Sequence, residues 1–114
     1  MPDDPRVAAL KASLFKALAH PVRVRVLEVL ADGERAVGVL AELLDMELSH
    51  LSQQLAVLRR ADLVATRRVA SVVFYRLRDP HITQLLFLAR EVLVASLQDS
   101  QVLLHRLDSV AERT

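Results

Sequence analysis

The segment LDMELSHLSQQLAVLRRADLV, residues 44–64, constrains this 114-residue chain more than any other. Leu48, Leu51, Leu55 and Leu58 recur every three or four positions, which sets them on one face of an α-helix. The opposite face carries Ser49, His50, Ser52, Gln53 and Gln54. A face that is only solvated is usually filled by strong helix formers such as Lys, Glu and Arg. Serine and glutamine hydrogen-bond nucleic-acid base edges and phosphates well. Arg59 and Arg60 follow directly, so residues of about 48–61 read as an amphipathic helix with an outer surface built for recognition.

The rest of the chain places this helix fourth. Asp4-Pro5 is an N-cap followed by proline at the first helical position, and Val7, Leu10, Leu14, Phe15 and Leu18 continue a first helix over about 5–18. His20-Pro21 interrupts it, because the residue before a proline leaves the helical region. Pro21 starts a second helix with Val22, Val26, Val29 and Leu30 turned inward, and Gly33 suits the position after its end. Val37 to Leu44 gives a short third helix. After Arg60, the β-branched and aromatic runs 63–66 and 72–75 predict a two-stranded hairpin over 63–77, joined through Arg67-Arg68-Val69-Ala70-Ser71. Asp79-Pro80 repeats the cap-plus-proline start and opens a last helix over about 80–108. The fold class expected is mainly α with a small β-hairpin: four helices, a hairpin and a final helix in a single domain, 1–114.

Composition agrees, with 53% apolar residues, 4% aromatic, two glycines and four prolines. Without cysteine there is no disulfide framework and no thiolate metal or redox chemistry. No stretch reads as a signal peptide or a membrane span, so a cytoplasmic location away from membranes is expected. The formal net charge of +1 conceals an uneven distribution. Six arginines (59, 60, 67, 68, 76 and 78) face one acid, Asp62, between residues 59 and 78, whereas residues 32–47 hold five acids and one arginine. Positive charge is thus concentrated beside the recognition surface, where phosphates would lie.

The last helix has a surplus of apolar positions. Ile82, Leu85, Leu86, Leu88, Val92, Leu93, Val94, Leu97, Val102, Leu103, Leu104 and Leu107 cover more than one stripe, and a domain of this size has little interior to receive them. A homodimer formed through this helix, with the first helix beside it, is the simplest expectation.

Helix–turn–helix followed by a hairpin wing resembles the ArsR/SmtB family of winged helix-turn-helix transcriptional regulators. The resemblance spans about residues 14–88 and is carried by FKALAHPVRVRVLEVL (15–30), SHLSQQLAVLRRADLV (49–64) and VFYRLRDP (73–80). It implies a dimeric repressor whose fourth helix enters the major groove of a palindromic operator on double-stranded DNA, with the hairpin along the flanking backbone. On that reading Ser49, His50, Ser52, Gln53 and Gln54 form the reading face. Either glutamine can contact adenine in bidentate fashion, and Ser49 and Ser52 suit phosphate. Arg59, Arg60, Arg67 and Arg68 add affinity through phosphate neutralisation. Three residues depart from the family pattern: Glu47 stands at the usual serine cap, Asp62 replaces a glycine, and the wing tip Val69-Ala70-Ser71 lacks the common acidic-Gly-Arg turn.

The resemblance also implies where a divalent metal such as nickel, cobalt or zinc would bind. The family's cysteine pair at the third helix falls on Ala36 and Gly38, so that site is absent. Its site on the last helix begins with Asp-x-His, matched by Asp79 and His81, but the remaining ligands fall on Val92 and Ala95. Asp79 and His81 are therefore a half-site, and Asp79 is more simply a helix cap. His105 lies about 36 Å from His81 along a continuous helix. A metal response through an atypical site, an effector ligand and a partner protein that carries the sensing all stay open. An enzyme is not expected, because the chain has no glycine-rich phosphate loop and no recognisable nucleophile setting. The other alternative is a winged-helix protein-interaction module that does not bind DNA.

Overall fold

A computed structural model describes the backbone of residues 2–113 and the side chains through residue 109. The chain divides into two compact units, Met1–Thr83 and Gln84–Thr114. The first contains α1 (Pro5–Leu18), α2 (Pro21–Leu30), the short strand β1 (Arg35–Ala36), α3 (Val37–Leu44), α4 (Leu48–Arg60), β2 (Val64–Val69) and β3 (Val72–Leu77). The last helix, α5, runs from His81 to Arg113, several residues further than expected, and most of it forms the second unit.

The caps follow the sequence closely. Asp4 Oδ1 accepts from the Arg6 N–H at 2.8 Å at the start of α1. His20 caps α2 by accepting the Val22 N–H on Nδ1 at 3.1 Å. Pro21 sits at the first turn, where its missing N–H costs nothing. Asp79 Oδ1 accepts from the His81 N–H at 2.8 Å at the start of α5.

The core of the first unit is aliphatic. Val26, Leu27 and Leu30 of α2 are buried with Leu40 and Leu44 of α3, Leu51, Leu55 and Leu58 of α4, and Leu63 and Val64 at the start of the wing. Each fully buried leucine contributes about 1.5–3 kcal/mol relative to exposure. Two expectations change here. Leu27 belongs to the core, whereas Val22 and Val29 are only half-buried. Leu48 is 53% exposed, because the first helical residue of α4 projects beyond the layer that Leu51 begins.

The hairpin also differs in detail. Its strands are longer than expected and meet at Ala70-Ser71, with Val69 paired to Val72. Arg67 and Arg68 therefore lie inside β2 rather than in a connecting loop. β1 adds a third strand against β3, pairing Arg35 with Tyr75 and Ala36 with Phe74, so the sheet order is β1-β3-β2.

Candidate nucleic-acid interface

The turn between α3 and α4 is three residues long and is set by Asp45, whose φ of 51° is left-handed. The Met46 N–H returns to Ala41 O at 3.0 Å, which closes the end of α3. At the other end of α4, Asp62 at φ 59° donates its N–H to Arg59 O, and the Leu63 N–H reaches Leu58 O at 3.0 Å. That pair of bonds is a Schellman ending, normally built on glycine, and it joins buried Leu58 to buried Leu63. Asp62 thus fills the expected glycine position by adopting glycine's conformation. α4 is fixed at both ends, with its leucines inward.

The outer face of α4 is open. Ser49, His50, Ser52 and Gln53 are exposed, as are Arg59 and Arg60, and the two arginines make no ion pair among the described residues. Glu47 occupies the N-cap without a side-chain bond to the helix, so its carboxylate stands free at the entrance to this face.

Two residues expected on the interface have other partners. Gln54 is half-buried on the flank toward α2, where its Oε1 accepts from Arg23 Nη1 at 3.0 Å. Arg23 also donates from Nε to Ala17 O at 2.6 Å and from Nη2 to Lys16 O at 3.3 Å. With its oxygen engaged, Gln54 lacks the acceptor half of a bidentate adenine contact. Gln53 retains both halves.

Arg67 is paired with Glu34, in the connection before β1. Its Nε is 2.9 Å from both carboxylate oxygens and its Nη2 is 2.6 Å from Oε1, while its guanidinium carbon lies 4.7 Å from the Phe74 ring centroid. The hydrogen bonds from Arg67 hold the Glu34 carboxyl below its ordinary pKa, and the same contact raises that of Arg67. Arg67 thus has an acidic partner within the protein. Arg68 differs because side chains alternate across a strand. Val64, Thr66 and Arg68 share a face with their partners Leu77, Tyr75 and Val73, and buried Val64 turns that face toward the helices. Arg68 therefore lies on the α4 side of the wing and Arg67 on the other.

Between α4 and the wing is an open cleft of about 440 Å³ lined by Ser52, Ala56, Arg59, Arg60 and Tyr75. The sequence reading missed Tyr75. Its placement depends on the β2–β3 register, which no local pattern announces.

Asp79 and His81 are occupied with each other. Asp79 Oδ1 accepts the His81 N–H and lies 2.7 Å from His81 Nδ1, and both contacts lower the Asp79 pKa. Among the described residues no group of three or more His, Cys, Asp or Glu is placed to hold a metal ion. Two donors, one of them a committed helix cap, do not fit a metal centre. Among the same residues no helix is long and apolar enough to cross a membrane.

A helix–turn–helix carrying an exposed polar helix and a β-wing defines the winged helix-turn-helix class of DNA-binding regulators. A helix-turn-helix domain family matches residues 18–67. The HTH-type transcriptional regulator Rv0081 of Mycobacterium tuberculosis is 48% identical over 99 residues, covering 86% of this chain and 87% of the relative. The crystal structure of Rv0081 superposes with a TM-score of 0.75 over 85% of this chain and 97% of that one, at 47% identity. The transcriptional repressor BigR of Xylella fastidiosa aligns with a TM-score of 0.71 at 38% identity, over 77% of this chain and 90% of BigR. The homodimeric winged helix-turn-helix domain Mb0332 of Mycobacterium bovis, described as a possible ArsR-family regulator, aligns with a TM-score of 0.70 at 31% identity, over 81% and 89%. This chain belongs to the ArsR/SmtB family of winged helix-turn-helix transcriptional regulators.

Proposed function

We propose that the chain is a homodimeric repressor that binds a palindromic operator on double-stranded DNA, with α4 of each subunit in the major groove. The observation that carries this reading is the exposed face of Ser49, His50, Ser52 and Gln53, flanked by Arg59 and Arg60, which make no ion pair among the described residues. Gln53 reads base edges, Ser49 and Ser52 hold phosphate, and Arg59, Arg60 and Arg68 supply phosphate neutralisation. Gln54 positions α4, and Arg67 stiffens the wing. One winged helix-turn-helix domain spans the chain, with α5 as its dimerisation element. Support for the dimer comes from the exposed apolar residues of α5, among them Val92, Leu93, Leu97, Leu103, Leu104 and Leu107, and from the homodimeric state of Mb0332.

The test is a titration of the protein against the DNA upstream of its own gene, with parallel sedimentation. The expected result is a dimer that binds with an affinity falling steeply with salt and that prefers this duplex to random sequence. A monomer with no salt-dependent binding would instead favour a protein-interaction module. Repeating the titration with Ni(II), Zn(II) and Co(II) tests the half-site, and no response to any of them is expected.

A further inference from the structure

We infer that the cleft between α4 and β3 is a seat for one phosphodiester of the DNA backbone, and that Tyr75 is the residue that completes it. This inference rests on the DNA-binding reading above and names a contact within it. Ser52 and Arg59 lie about two turns apart on the wing side of α4, with Ala56 between them, and Arg60 closes the end. Tyr75 faces them from the sheet, on the face that it shares with Thr66 and Arg68.

The chemistry of the lining selects an anion. Two guanidinium groups, a serine hydroxyl and a phenol provide donors, while Ala56 leaves the floor open, and no carboxylate lines the cleft. Among the described residues, none of these four polar side chains makes an ion pair or side-chain hydrogen bond with another residue. Arginine at a helix C-terminus needs no ligand to explain it, since it complements the helix dipole. That account covers Arg59 and Arg60 but leaves the Ser52 hydroxyl and the Tyr75 phenol oxygen without a partner among the described residues.

A phosphodiester also fits the position better than a base does. The cleft is at the α4–wing junction, beside Ser49 and Gln53 rather than beneath them, so a strand whose bases meet Gln53 would pass its backbone across the junction. Arg68, one step outward along β2 on the same sheet face, would meet the next phosphate along.

The experiment uses the full chain and a duplex selected by the wild-type protein from a random library. Tyr75→Phe removes one uncharged donor, and Arg59→Ala removes one charge. Tyr75→Phe should weaken binding about tenfold for every sequence without changing the slope of log affinity against log salt. Arg59→Ala should also weaken binding uniformly and should reduce that slope by about 0.9. Single methylphosphonate substitutions along each strand then locate the seat. One neutral linkage per half-site should weaken wild-type binding and cost the Tyr75→Phe variant less by the share that the phenol supplies, because Arg59 and Arg60 still meet that phosphate in the variant.

Thermal unfolding of Tyr75→Phe at the wild-type temperature shows that the loss is not one of folding. If wild type binds but Tyr75→Phe matches it, or if the variant and the methylphosphonate act additively at every position, the seat is overturned. A wild-type protein that binds no duplex even at low salt overturns the functional reading and the seat together.

Discussion

Arg23 and Gln54, 31 positions apart, are joined at 3.0 Å, and the same guanidinium holds the last carbonyls of α1. One side chain on α2 thus ties the end of α1 to the flank of the recognition helix. The Ala17 carbonyl is one that the helix end leaves free, while the Lys16 carbonyl, which already accepts the Ala19 N–H at 3.2 Å, gains a second donor. The bond to Gln54 fixes which way its amide points.

Arg23 and Gln54 should therefore behave as structure and Gln53 as recognition. Arg23→Ala is expected to lower stability by about 1–3 kcal/mol in urea denaturation, through lost charged hydrogen bonds and an orphaned Ala17 carbonyl. Gln54→Ala should cost about 1 kcal/mol and leave the selected sequence unchanged. Gln53→Ala should leave stability alone and relax base preference at one position per half-site. A selection experiment in which Gln54→Ala changes the preferred sequence would reverse the two glutamines.

Much of this architecture was legible because its signals are local. Pro5, Pro21 and Pro80 mark three helix starts, two of them with an aspartate cap before the proline, and the leucine spacing of α4 marks its buried face. The capping role of His20 emerges only from the structure. What was not legible depends on contacts distant in sequence. β1 has two residues, too few for alternation to show, and exists only because β3 pairs with it. Arg67 lies 33 positions from Glu34, so its ion pair with that residue was invisible to charge counting. Tyr75 read as a strand aromatic until the register turned it toward α4. Leu48 matched the period but not the depth of the core.

The Glu34–Arg67 pair predicts both a pH and a salt effect. The folded-state pKa of Glu34 lies below its ordinary value of about 4.5, so its contribution to stability is present above that value. It is lost as pH falls through the lowered folded-state pKa. Wild type should therefore be more stable than Glu34→Gln at pH 7, and urea denaturation curves of the two should converge as pH falls below the ordinary carboxylate range. Arg67 is exposed and Glu34 half-buried at the surface, so the gap should be small and should shrink further in high salt. Glu34→Gln should also free the Arg67 charge and raise DNA affinity at low salt.

Two non-glycine residues in left-handed conformations offer stabilising substitutions. Asp62 (φ 59°) ends α4, and Ala70 (φ 55°) makes the turn between β2 and β3. An L-residue other than Asn or Asp has a clear steric cost there. Ala70→Gly should stabilise by about 1 kcal/mol, seen as a raised urea midpoint with an unchanged slope. Asp62→Gly should gain less, because Asp tolerates the conformation and its 3.7 Å contact with Arg78 is lost.

The entrance to α4 carries the clearest electrostatic conflict. Glu47 is the N-cap, yet its carboxylate makes no bond to the first-turn N–H groups, and it stands where Ser49 would approach a phosphate. Its charge favours the positive end of the helix dipole in the free protein and opposes DNA in the complex. Serine at this position would accept a first-turn N–H directly. Glu47→Ser should therefore change stability by less than about 1 kcal/mol, since the new cap bond offsets the lost dipole interaction. DNA affinity should rise several-fold at low salt and converge on wild type as salt screens the repulsion. Titrations at two salt concentrations decide the matter: an affinity gain that persists at high salt would mean that Glu47 acts through helix geometry rather than through its charge.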